Sequence, residues 1–294
     1  MNLYRCLLLL LLILPAWAEG KVKVVTSTSD LAYLVETIGR DRVDVSAIAS
    51  PKADIHFVEV RPSYMMKVAK ADLVFKVGLE LDVWMDRIID GSRSDRLLVF
   101  DCSKYVRPLE IPAFKADARH GDLHRFGNPH YWMGPDNVGP ITDAIVEGLA
   151  AADPEHAESY AKNQAEYLDQ FKREIEAIRQ LAEPLRDKEI IYYHNSWPYF
   201  NEFTDLKPAG FIESYPGVPP SPAHIKKLQQ LIGSRGIKVI AMEPYFDQRV
   251  PRKLADATGV KLITLFPSIG GRLKKETYVD WLRGNVNSLL EALK

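Results

Sequence analysis

Cysteine is almost absent, with Cys6 and Cys102 the two thiols of a 294-residue chain. If the first residues form a cleaved leader, Cys102 alone remains, which excludes an internal disulfide and a cysteine-based zinc site. An excess of one charge is also missing. The 38 Lys and Arg balance 39 Asp and Glu to a formal net charge of -1, without the basic stripe that nucleic-acid binding requires. Repeats and low-complexity tracts are absent, as are the HExxH motif of metalloproteases and any nucleophile motif. What remains is globular in composition, 47% hydrophobic and 26% charged, with 17 Gly and 19 Pro. The length suits two domains of ordinary size or one large one.

Long apolar runs are scarce as well. The unbroken one covers Leu7 to Leu14, follows Arg5, and gives way to Pro15-Ala16-Trp17-Ala18 before Glu19. It is shorter than the roughly 20 residues needed to cross a bilayer, and small residues occupy the two positions a signal peptidase reads. Residues 1–18 are therefore expected to be a signal peptide. Cys6 lies too early to become a lipid-anchored first residue. The mature chain is expected to be soluble, disulfide-free and periplasmic.

Beyond the leader, short β-branched runs alternate with helical patterns. Val22–Ser27, Val43–Ala49, Leu73–Val77 and Arg96–Phe100 read as buried strands, and Leu31–Gly39, Ser63–Ala69 and Leu79–Ile89 have helical spacing. Asp101 to Gly134 is polar and irregular, a long loop of the kind that is usually functional. Asp153-Pro154 then opens a helix as cap and first residue, carried by Tyr160, Tyr167, Phe171, Ile175, Ile178 and Leu181 to Pro184. About 30 residues at 1.5 Å each span roughly 45 Å, enough to brace two domains. A second series follows, with strands Glu189–Tyr193, Ala209–Ile212, Lys238–Met242 and Lys261–Leu265 and a final helix Thr277–Leu293. The fold class is α/β: two lobes with mostly parallel sheets flanked by helices, joined by one long bracing helix. The expected boundaries are 19–152 for the first lobe, 153–186 for the linking helix and 187–294 for the second lobe.

Three histidines hold equivalent places in this plan. His56 follows the second strand, His130 follows the fourth, and His194 ends the first strand of the second lobe. Open α/β sheets bind ligands outside the carboxyl ends of their strands, so all three can converge on one interlobe cleft. Imidazole is the commonest zinc ligand, and three leave one tetrahedral position open or filled by oxygen.

The words around these residues resemble the periplasmic zinc/manganese-binding receptors of ABC metal importers, the ZnuA/TroA-like cluster of solute-binding proteins. Asp54-Ile55-His56-Phe57-Val58-Glu59-Val60-Arg61-Pro62-Ser63 matches the family's first ligand stretch. Asn128-Pro129-His130-Tyr131-Trp132-Met133-Gly134-Pro135 matches the second, with Asn in place of the usual Asp. His194-Asn195-Ser196-Trp197-Pro198-Tyr199-Phe200 matches the third, and Pro220-Ser221-Pro222 and Met242-Glu243-Pro244 resemble second-lobe markers. The resemblance runs from Lys21 to the C-terminus. It implies a monomeric receptor, not an enzyme, that carries a divalent metal ion to an ABC permease in the inner membrane. Manganese receptors of this type tend to carry Glu at the third ligand position. His194 gives a nitrogen-rich set that favours Zn2+ over Mn2+. A zinc-dependent hydrolase using three His and a bound water, or an adhesin-type metal-binding protein, is the alternative.

The resemblance also implies a fourth ligand, an Asp after the last sheet strand, where this chain has Phe266. A phenyl ring cannot coordinate a metal, so the fourth position falls to Glu243 or to water, with Asp54, Glu59 and Asp247 as weaker candidates. His120 and His124 read as solvent-exposed loop residues and His156 as part of the polar face of the bracing helix. His224 starts a second-lobe helix, without an assigned role. Tyr131, Trp132, Trp197, Tyr199 and Phe200 are expected to pack beneath the site.

Overall fold

The structure, a computed structural model, describes residues 20–112, 124–213 and 217–294. The expected signal peptide, Cys6 and His120 lie outside the described residues. Eight strands form two parallel sheets of the same design. In the first lobe, β1 (Val22–Thr26), β2 (Val43–Ala47), β3 (Leu73–Lys76) and β4 (Leu98–Asp101) lie in the order β2-β1-β3-β4. In the second, β5 (Glu189–Tyr192), β6 (Lys207–Phe211), β7 (Val239–Met242) and β8 (Lys261–Thr264) lie in the order β6-β5-β7-β8. The apolar central strands β1, β3, β5 and β7 are almost wholly buried, whereas β4 on an edge is largely open. Pro208 sits in the edge strand β6, where a missing N–H costs no ladder bond on the open side, and a register irregularity between Ile190 and Ile191 accompanies it.

The helices are α1 (Ser29–Gly39), α2 (Pro62–Val68), α3 (Val83–Ser92), α4 (Val138–Ala152), α5 (Ala157–Ala182), α6 (Pro198–Thr204), α7 (Pro222–Arg235), α8 (Arg249–Thr258) and α9 (Tyr278–Leu293). Their ends follow local chemistry. Ser221 caps α7 by accepting from the His224 amide, Pro222 is its first residue, and Gly236 ends it in the left-handed region at φ 63. Thr277 and Asp280 form a reciprocal capping box on α9. Helix α3 starts four residues later than its apolar spacing implies. Gly78, Leu79 and Glu80 instead make three successive left-handed residues, with φ of 79, 50 and 65. The buried Asp82 carboxylate accepts the amides of Val77 and Gly78 at 2.6 and 2.9 Å and fastens that turn. Helix α4 was not among the helices read from the sequence; Gly139 and Pro140 stand at its start. Both fall in its first turn, where proline is tolerated.

Helix α5 is the brace, 26 residues and about 39 Å long, with 3-10 turns at Pro154–His156 and Glu183–Leu185. Asp153 does not cap it; its carboxylate takes the ring of His156 at 2.9 Å and the hydroxyl of Tyr160 at 2.6 Å. The brace packs on α1 and α4 of the first lobe and on α9, which closes the second. One hydrophobic core runs through both lobes, from Val24 and Phe75 to Trp197, Leu265 and Trp281, and a smaller one lies under α7 and α8. The seam between the lobes is hydrogen-bonded as well as packed. The Trp132 indole donates to the Pro267 carbonyl at 2.9 Å, the Tyr278 hydroxyl to the Trp132 carbonyl at 2.7 Å, and the Ile269 amide to Asp30 at 2.9 Å. Among the described residues no helix is long and apolar enough to cross a membrane.

Candidate metal centre

His56, His130 and His194 meet at the carboxyl ends of the two sheets, where the connections after β2, β4 and β5 face each other. One ring nitrogen from each lies within 4.8 Å of the others, and the ring centroids are 5.2, 5.3 and 5.7 Å apart. His130 and His194 are buried, and His56 exposes 7% of its side chain.

Each ring is aimed by a hydrogen bond to its Nδ1. Asp54 Oδ1 accepts the backbone amide of His56 at 3.0 Å and sits 2.7 Å from its Nδ1. Asn128 Oδ1 does the same for His130, at 3.1 and 2.9 Å. Glu213 Oε2 lies 3.0 Å from Nδ1 of His194. With Nδ1 carrying the proton, every Nε2 presents its lone pair inward, the tautomer that a metal ligand needs. The electrostatics agree. Burial holds the His130 ring well below the ordinary imidazole range, and the facing rings of His56 and His194 push it further down. Burial lowers His194 too, against the opposing pull of Glu213. Burial alone would raise Asp54, but its hydrogen bond and attraction to His56 outweigh that and hold it below the usual carboxylate value. The centre is a set of three imidazole donors, His56 and His194 backed by carboxylates and His130 by an amide oxygen.

The space around it is small. A cavity of about 130 Å³ is lined by Asp54, His56 and Phe57 from one lobe and by His194, Glu213, Gly217 and Phe246 from the other. That volume suits an ion with a few waters and is below the range of organic-substrate pockets. The expected aromatic floor is present: Tyr131, Trp132, Trp197, Tyr199 and Phe200 are at most 2% exposed, and Trp132 lies 5.4 Å from the His130 ring.

Glu243 does not join the three histidines. It ends β7 as expected, but its side chain runs beneath the floor, where Oε1 accepts the Trp197 indole N–H at 2.9 Å and burial lifts its carboxyl to about 7. Glu59 and Asp247 face solvent in pairs with Arg61 and Arg249. Phe266 is held through its backbone, its amide donating to Asn285 Oδ1 at 3.0 Å and its carbonyl accepting from Trp281 and Asn285. His124 departs from the solvent-exposed reading: it is half-buried and stacked on His56. Glu213 was missed by sequence reasoning, although its place just past β6 followed the same strand-end rule as His194. His156 is half-buried against Asp153, and His224 Nε2 meets the Phe211 carbonyl at 2.8 Å, fastening α7 to β6.

The family model for a periplasmic component A of a zinc-uptake complex, ZnuA, matches residues 24–292. The chain belongs to the ZnuA family. It is 32% identical over 169 residues to the high-affinity zinc uptake system protein ZnuA of Brucella abortus (strain 2308), a match covering 56% of this chain and 49% of that protein. The chain thus spans about half the length of this ZnuA relative. It is 28% identical over 282 residues to the iron-binding protein YfeA of Yersinia pestis, covering 92% of this chain and 81% of the relative. A crystal structure of ZnuA superposes with a TM-score of 0.81 at 22% identity, over 94% of this chain and all of that one, and shows the same fold.

Proposed function

We propose that this ZnuA-family chain is a periplasmic receptor that chelates one zinc ion between its lobes, through Nε2 of His56, His130 and His194, and hands it to an ABC permease. The observation supporting this reading is the convergence of three imidazoles, each with Nδ1 already hydrogen-bonded, beside a small cavity of about 130 Å³. Export by residues 1–18 accords with a Cys-poor chain. The nitrogen-only donor set favours zinc over manganese, which prefers oxygen. The relative named for iron keeps Fe2+ as the competing cargo. Zinc hydrolysis is less well supported, because among the described residues the cavity beside the histidines is only about 130 Å³ and Glu243 is turned away beneath Trp197.

Chelator-competition titration tests the reading. The purified protein should bind one zinc per chain, and His56→Ala, His130→Ala and His194→Ala should each abolish or greatly weaken that binding. Full affinity retained in any two of the variants overturns the ligand assignment.

A further inference from the structure

Three imidazoles leave a tetrahedral ion one ligand short. Among the described residues, Asp54 and Glu213 hold histidine rings, and Glu243 accepts the Trp197 N–H on Oε1 while its Oε2 is buried without a partner, outside the three-histidine group. His124 presents a further donor against the cluster itself. Its Nε2 is buried without a hydrogen-bond partner, as is Nε2 of His56, and the two rings stack with centroids 5.5 Å apart and planes 24° from parallel. The His130 ring lies 6.4 Å from it. A buried ring nitrogen with no partner costs free energy, and two on adjacent rings form the arrangement that a shared cation relieves.

The position of His124 is built by the fold. The other side of the ring bonds to the backbone of Leu79, which leaves Nε2 as the free lone pair. Leu79 and its neighbour Glu80 are in the left-handed region, unfavourable for residues with side chains, at φ 50 and 65. In that conformation Glu80 accepts both the backbone amide and Nε of Arg125, at 2.9 Å each, and so grips the residue after His124. The strained turn after β3 thereby holds the end of the 101–134 connection against the three-histidine cluster.

We propose that His124 is the fourth nitrogen donor, making a four-imidazole site whose last ligand arrives from a loop rather than from the strand end that Phe266 occupies. The inference rests on the metal-receptor reading above. Ring Nε2 of His124 lies outside the 4.8 Å set formed by the other three, so it joins by a small displacement of its ring. A fully nitrogenous shell would discriminate further against manganese.

The test is X-ray absorption of the zinc-loaded protein together with chelator competition, on the wild type, His124→Ala, His124→Gln and His130→Ala. The wild-type outer-shell scattering should count four imidazoles, falling to three in both His124 variants, with affinity lowered at least about tenfold. His124→Gln keeps the side-chain bulk, so a loss shared by both variants reports the ligand and not the packing. A wild-type count of three, with unchanged affinity in the His124 variants, overturns this inference alone. Failure of the wild type to bind zinc, or full binding by His130→Ala, overturns the receptor reading beneath it.

Discussion

Asn128 holds His130 with one oxygen: Oδ1 accepts both the backbone amide and the ring Nδ1 of the histidine two residues on, at 3.1 and 2.9 Å. Asp54 repeats the device on His56. The Asn is explained by its other end. Its Nδ2 donates across the lobe boundary to the Asn195 carbonyl at 2.8 Å and to Glu110 Oε2 at 3.2 Å. An aspartate there would face a carbonyl and a carboxylate with no proton to offer. Asn128→Asp should therefore destabilise the metal-free protein by about 1–3 kcal/mol, the cost of stranding buried polar groups. Denaturant unfolding checks this, and a variant as stable as the wild type would contradict it.

Asp54→Asn and Glu213→Gln keep a hydrogen-bond acceptor but remove the charge behind His56 and His194. Each should weaken zinc binding by about 10–100-fold, with the fold intact, as loss of an outer-sphere partner does. Competition titration reads the affinity and far-ultraviolet circular dichroism the fold. Unchanged affinity in both variants would show that the carboxylates do not tune the rings.

Glu243→Gln separates a buried acceptor from a direct ligand. The amide oxygen can still take the Trp197 N–H that Oε1 accepts at 2.9 Å. Zinc affinity should stay within about threefold of wild type, less than the 10–100-fold loss an outer-sphere partner causes. A loss of about 10–100-fold would make Glu243 an outer-sphere partner, and a loss beyond that would place it in the coordination shell.

Asp30 makes stability pH-dependent. It is 1% exposed at the start of α1, and burial lifts its carboxyl to about 7. The folded state therefore holds a proton that the unfolded chain releases above roughly pH 4. The stability this confers is fully present below the unfolded value and is lost as pH rises through about 7. Asp30→Asn keeps an acceptor for the Ile269 amide and never ionises. Its unfolding midpoint should gain on the wild type by at least about 2–4 °C between pH 5 and pH 8, the shift about 1 kcal/mol produces in a chain of this size. Equal differences at both pH values, followed by thermal scans of metal-free protein, would refute the assignment.

The two series of parallel strands and the three histidines were legible because both rest on local signals, namely β-branched runs and residues just past strand ends; the order of strands within each sheet was not. The Asx–His turns were legible in principle too, since donor and acceptor are two residues apart. Glu243 was legible as a strand-end residue, but a strand end fixes where a residue sits and not where its side chain goes; here Oε1 meets the Trp197 indole. His124 was unreadable because its burial depends on Leu79 and Glu80, more than forty positions away, adopting a conformation that no residue-type preference announces. Helix α4 was not read from the sequence; it opens on Gly139-Pro140, a pair whose meaning depends on which turn of the helix it occupies.

The fastened seam bears on how fast the cargo can leave. Trp132, Asp30 and Tyr278 tie the lobes together, Trp132 right beside the His130 ring, so prising the halves apart would break several buried hydrogen bonds and part a continuous core. On the proposed receptor reading, the dwell time of the ion would be a property of a few imidazoles and their acceptors, and not of a domain swinging open. A recipient that competes for one ring at a time can draw the ion out through a series of shallow steps while the scaffold stays still.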